Sequence, residues 1–408
     1  MDRVRPTVSP ARVSSPHPDA DAVRPSPRWE IALVLSLLIG VFAIGSRLRG
    51  ARGGGGDAGT IAPEGPRAPG LVEATPIELS QPGYNQNDDL CRAGLRTWTF
   101  PDRSPDLVRE RLRRNGFDDA TREAIASQVR CDGTGCAFDP SDELVLSLPA
   151  TPRSRLYREF GASRGFAFAV TPYHRPRAFT PWEQVAPTPA TRDLFARLTW
   201  VEGASQFFVD VPTACSVLTD REERVAFLSL VRRRYSLDVR VRVPAETPAE
   251  TVARYWTLSG RPVDPARVAR VRDARDHAQA VPLRELLDPW PARRVNEFPR
   301  PAEPDRDCFW TTTHFAEPVE SGEAPVPEVF AADLAARWRE IPRSELRYGD
   351  AVVLWGERLP EHAMVYLADD LVFTKNGRAR SRAWVVARMP EVMLDYPNVR
   401  AVRAYRLR

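Results

Sequence analysis

The chain has 408 residues, 43% of them hydrophobic and 27% charged, which is enough for two or three folded units with proper cores and unlike a disordered or fibrous composition. Its formal charge of +4 is small and its acids and arginines are interleaved. The one basic run, Arg232-Arg233-Arg234, has no zinc, helix-turn-helix or aromatic-stacking pattern around it, so it reads as a solvated helix face and not as a nucleic-acid patch.

Residues 1–28 are rich in Pro, Ser and Arg and cannot build a core. They lead into the apolar run Ile31–Gly45, which together with Trp29 and Ser46 predicts a transmembrane anchor over 29–46, at the short end of the roughly 17–25 residues a spanning helix needs. Arginines flank both ends (Arg24 and Arg28; Arg47, Arg49 and Arg52), so charge asymmetry gives no orientation. Position alone predicts an N-in signal anchor, with a cleaved signal peptide as the alternative. Either reading attaches the chain to the cell membrane by a single pass and puts the folded body on the periplasmic or extracellular side. A flexible linker is expected over 47–79, where Gly53–Gly56 and several prolines stand.

Residues 80–190 are expected to form a helical domain. Ser104 caps an amphipathic helix over Pro105–Asn115, Gly116 stops it, and Asp118 opens a second helix that reaches Val129. Between Cys131 and Cys136 two glycines let the chain double back, which predicts a disulfide in an oxidising compartment. With five cysteines (Cys91, Cys131, Cys136, Cys215 and Cys308) at least one stays unpaired, and Cys308 is the natural candidate. No His or second Cys pair lies at zinc spacing, and no residue pattern asks for a cofactor, so neither metal nor cofactor is expected.

Residues 191–300 read as an α+β and helical module. Strands are expected at Leu198–Val201 and Gln206–Val209, a helix over Asp220–Arg234, a half-exposed strand at Leu237–Val243, and helix again between Thr247 and His277. The stretches Leu146-Ser147-Leu148-Pro149 and Leu286-Leu287-Asp288-Pro289 echo one another, each behind a helical pair, which suggests a duplicated unit. His174 and His277 stand alone. The default role of this middle region is to place a substrate or an envelope partner, and the sequence names no protein partner.

Residues 301–408 carry the chemistry. Prolines 301 and 304 end any earlier element, and Asp307 is positioned to cap a helix that begins at Cys308 and continues through Phe309-Trp310-Thr311-Thr312-Thr313-His314. A thiol in a first helical turn feels the positive end of the dipole, so a lowered pKa is expected. Gly349-Asp350 precedes the apolar strand Ala351–Trp355, His362 starts a second strand bounded by Asp369-Asp370, and a third carries Thr374, Lys375 and Asn376 at its far end. A cysteine nucleophile needs an imidazole in reach and a polar group that orients the ring. Cys308 and His362 fill the first two roles, and His314, six residues after Cys308, faces elsewhere. Lys375 is the only lysine of the chain. Its survival among arginines marks either a specific job or a chance survivor that is only a solvated charge.

Asp307-Cys308, Gly349-Asp350 and the His362-Ala363-Met364-Val365-Tyr366-Leu367 strand resemble, in that order, the NlpC-type papain-like cysteine peptidases. The resemblance covers roughly the last quarter of the chain. It implies an α+β architecture with a C-terminal papain-like domain, and a peptidase or amidase activity on cell-wall (peptidoglycan) peptides. Family spacing puts the orienting residue at Thr374; Asn376, two residues on, offers the amide that papain uses, and the reading favours Asn376. Phe309 and Trp310 replace the small residues that usually follow the cysteine. Two alternatives stand beside the hydrolase: a non-catalytic binding domain of the same fold, and an acyltransferase acting on lipid.

Overall fold

In the computed structural model the described residues are 67–83, 91, 96–162, 173–203, 205–316, 322–396 and 399–408. The expected disordered segment, the anchor over 29–46 and most of the linker lie outside them. Among the described residues no helix is long and apolar enough to cross a membrane.

The chain is mixed α+β. Its strands, in order, are β1 (Leu71–Leu79), β2 (Trp98–Phe100), β3 (Arg130–Cys131), β4 (Cys136–Phe138), β5 (Tyr173–Pro176), β6 (Trp200–Glu202), β7 (Ser205–Phe208), β8 (Arg234–Arg242), β9 (Ala280–Pro282), β10 (Trp338–Ile341), β11 (Ala351–Trp355), β12 (Pro360–Ala368), β13 (Leu371–Lys375), β14 (Trp384–Arg388) and β15 (Ala401–Leu407). They form three small sheets, β1-β8-β9, β2-β4-β3 and β5-β7-β6, and one six-stranded sheet, β10-β15-β11-β12-β13-β14.

The linker expected through residue 79 ends earlier. Leu71 to Leu79 pair antiparallel with β8, Leu71 opposite Arg242 and Leu79 opposite Arg234. Pro76 made the segment read as tether, but β1 lies at a sheet edge, the place where a strand proline is tolerated. The expected alternation of β8 is present: Leu237, Val239 and Val241 are buried and Arg240 and Arg242 exposed.

The helical hairpin also forms as the caps dictate. Ser104 accepts from the N–H of Leu107, Gly116 closes the helix Pro105–Asn115 in the left-handed region, and Asp118 accepts from Thr121 to open the helix Asp119–Ala126. The two echoed stretches both fall where a short helix, Asp142–Ser147 or Leu283–Leu286, gives way to another, Ala150–Ala162 or Pro289–Arg294.

Two large hydrophobic clusters meet in sequence between residues 231 and 237, and Ala68 joins the second of them. The first core runs from Trp98 to Val231 and contains Phe100, Leu112, Trp182, Phe195 and Phe227. The second joins Leu237, Val241, Trp256 and Trp290 to Val365, Phe373 and Trp384 of the six-stranded sheet. One face of that sheet is therefore covered by chain from the middle region. Buried apolar area stabilises by about 25 cal/mol per Å2, so this shared face ties the two stretches of sequence into one folded body.

Candidate active site

The helix Cys308–Thr313 packs on β12 and β13. Asp307 caps it: the backbone is extended there (φ −125°) and Oδ1 accepts from the N–H of Trp310 at 3.0 Å. Cys308 is buried and is the free cysteine, the others forming Cys91–Cys215 and the expected Cys131–Cys136. The backbone N–H groups of Ala363, Phe309 and Cys308 itself face the sulfur and favour the thiolate, as a helix start should. They are outweighed. Burial, followed by the charge of Asp307, pushes the thiol up to about 12, the reverse of the expected lowering. A helix of six residues has little dipole to set against complete burial.

His362 lies in β12, two residues from its start, and is fully buried. Strand alternation sends Ala363 towards Cys308, while the ring of His362 stacks on Tyr396 with centroids 4.4 Å apart. Burial drives the imidazole down to about 3, only partly opposed by the nearby Asp395. Burial thus favours the neutral form of both the thiol and the imidazole.

Of the two candidate orienting residues, the structure places Thr374 against the ring and not Asn376. Thr374 Oγ1 is 3.0 Å from His362 Nε2 and 3.3 Å from the carbonyl oxygen of Ala363. All three groups are satisfied when the hydroxyl donates to Ala363 O and accepts from Nε2–H. The lone pair then belongs to Nδ1, which is buried and has no hydrogen-bond partner. Asn376 instead donates through Nδ2 to Asp395 Oδ2 at 2.9 Å.

Asp395 is the residue sequence reading missed. It is buried, is 3.2 Å from His174 Nδ1, and is held below the usual carboxylate range chiefly by that histidine. Its charge reaches His362. The lone His174 of the middle region thereby enters the surroundings of the site, which no local motif could announce.

Lys375 is not a solvated charge. It is completely buried, and Nζ donates to the carbonyls of Gly377 (2.7 Å), Arg378 (3.2 Å) and Ala379 (3.1 Å). Burial lowers it to about 7. The segment it holds is tied back over the start of the Cys308 helix: Arg378 Nε donates to Asp307 Oδ2 at 3.2 Å and its Nη2 to Ala324 O at 3.2 Å. Of the remaining sequence signals, Gly349-Asp350 is structural. Asp350 accepts from Arg406 through both carboxylate oxygens, at 2.9 and 2.6 Å. His314 bonds to Trp310 O at 2.9 Å and stacks on the Trp310 indole, away from the thiol.

No group of His, Cys, Asp and Glu among the described residues is placed to hold a metal ion. Comparison with family models, curated proteins and solved structures finds no match to this chain.

Proposed function

We propose that the C-terminal part of this chain is a papain-like cysteine hydrolase, an amidase or peptidase acting on cell-wall peptides from a membrane-tethered position. The observation that carries it is a free thiol at the capped start of a helix packed on β12, the strand that carries His362, whose ring is held by Thr374 at one nitrogen and left open at the other. Cys308 Sγ attacks the amide carbonyl carbon, and its proton passes to His362 Nδ1 when the ring swings from Tyr396 towards the thiol. The imidazolium returns that proton to the leaving amine as the C–N bond breaks, and water then hydrolyses the thioester with His362 as base. Backbone N–H groups at the start of the Cys308 helix are available to the oxyanion. The membrane attachment rests on the apolar run Ile31–Gly45.

A second reading, a binding domain of the same fold without turnover, is favoured by one observation: the thiol is held neutral and the imidazole is as deeply buried as the core. Iodoacetamide labelling of the folded protein separates the two. The hydrolase reading expects Cys308 to react at neutral pH faster than a denatured control and His362→Ala to slow it at least tenfold, together with release of amine from a cell-wall peptide that Cys308→Ala abolishes. Labelling slower than the denatured control, indifferent to His362→Ala and without peptide cleavage, would assign the binding role. A lipid acyltransferase would show acyl transfer to or from vesicle lipid in place of cleavage.

A further inference from the structure

On the Asn376 side of the site lies a cavity of about 70 Å3 between β5, β8 and the chain from Asn376 through β14. It is small, and its wall is rich in cations: Arg233, Arg234, Arg382 and His174 all line it, against the single wall acid Glu391. Most of these charges have occupations. Arg233 pairs with Glu78, which also takes Arg175 at 2.6 Å. His174 is 3.2 Å from Asp395. Glu391 turns to the start of its own helix, accepting from the backbone of Arg388.

Arg234 and Arg382 are different. Arg234 is satisfied only by carbonyls, Ser381 O from Nε at 3.1 Å and Arg233 O from Nη1 at 3.2 Å, and lies over the Tyr173 ring. Arg382 uses only its backbone N–H, bonded to Ala379 O at 3.0 Å; its guanidinium makes no hydrogen bond or ion pair with any described residue. Both residues are half-buried, and the charge of Arg382 bears on Arg234. Two like charges stand on one cavity wall, where Glu391 is turned to its own helix start and Asp395 is already engaged by His174 and Asn376, and such an excess of positive charge marks a place where a further anion is expected.

We propose that Arg234 and Arg382 form a subsite for a carboxylate group of the peptide substrate. The charge balance selects the class. Asp395 stands close enough for Arg382 to act on it, and Glu391 is in the wall, so a monoanion fits where a dianionic phosphate would meet two acids. A planar carboxylate also matches the guanidinium fork. The proposal deepens the hydrolase reading, since it makes the cavity a specificity element for amides that carry a free carboxylate. It is tested by binding and not by turnover, so that the two stand or fall separately.

The experiment is calorimetric titration of the full chain carrying Cys308→Ala, using N-acetyl-alanine and its uncharged amide at matched ionic strength. The acid is expected to bind at least tenfold more tightly than the amide, the worth of roughly one charge-assisted pair. Arg382→Gln should weaken the acid about tenfold and leave the amide unchanged, with little change in melting temperature, because the replaced group loses no hydrogen bond or ion pair to a described residue. Equal binding of acid and amide, or unchanged binding of the acid by Arg382→Gln, overturns the subsite. So does a marked fall in melting temperature for Arg382→Gln, which would make the guanidinium a structural group. Discrimination between acid and amide in a protein whose wild type cleaves no peptide would keep the subsite and sink only the hydrolase.

Discussion

The two largest hydrophobic clusters among the described residues are held by different means. The first, from Trp98 to Val231, is built on strands of two to four residues and contains both disulfides. The second rests on a six-stranded sheet with strands of up to nine residues, and the cysteine packed on that sheet, Cys308, is free. Short strands bring few ladder bonds, so covalent closure supplies order that a longer sheet obtains from its own pairing. The free sulfur of Cys308 stands in the part of the molecule that, among the described residues, has no second thiol to capture it.

The largest expected effect attacks that contrast directly. Cys215→Ala opens the link to Cys91, a closure of 124 residues, and should cost the first core about 4 kcal/mol. Hydrogen exchange during denaturant titration should show the loss in the first core while the sheet around Cys308 keeps its midpoint. A shared drop would mean that the two cores unfold as one, and the comparison would lose its meaning.

The second effect is smaller and of opposite sign in the two cores. Asp210, buried against Tyr157 and Arg153, is raised to about 6, mainly by burial. The native state then binds more protons than the unfolded one between the ordinary carboxylate pKa and about 6, so the first core is strengthened as pH falls through that window. His362 is lowered to about 3, so between there and its ordinary value the unfolded state binds more protons and the second core is weakened as pH falls. Each slope approaches about 1.4 kcal/mol per pH unit at most. Exchange-detected stability of the two cores should diverge from pH 6 to pH 4, and Asp210→Asn and His362→Gln should each flatten one arm only. Parallel arms would sink the assignment.

The smallest effect sharpens the site. Thr374→Val removes the hydroxyl at His362 Nε2 with little change of volume, and should lower turnover on a peptide substrate about tenfold with binding unchanged. Asn376→Ala should do less, since its amide serves Asp395. The reverse ranking would restore Asn376 as the orienting residue.

Much of this was legible locally. The caps at Ser104, Gly116, Asp118 and Asp307 are short-range chemistry, as is the Cys131–Cys136 turn, and the apolar runs at Ala351 and Ala363 have no other use than as strands. What was not legible depends on partners far along the chain. β1 reads as linker because its mate, β8, is remote and Pro76 interrupts it. Asp395 and His174 meet only through the fold. The pKa of Cys308 went the other way because local sequence shows a helix start and cannot show how completely the thiol is buried. The choice between Thr374 and Asn376 turned on which side chain reaches the ring, although both share a strand face.

The position of β15 has a consequence for timing. Residues 401–407 are inserted between β10 and β11, inside the sheet and not at its margin. Until they have left the ribosome, β11 lacks one neighbour, the face that receives the Cys308 helix is unfinished, and the thiol has no settled place beside β12. A sheet built in this order leaves the Cys308 helix without its finished support until β15 is inserted.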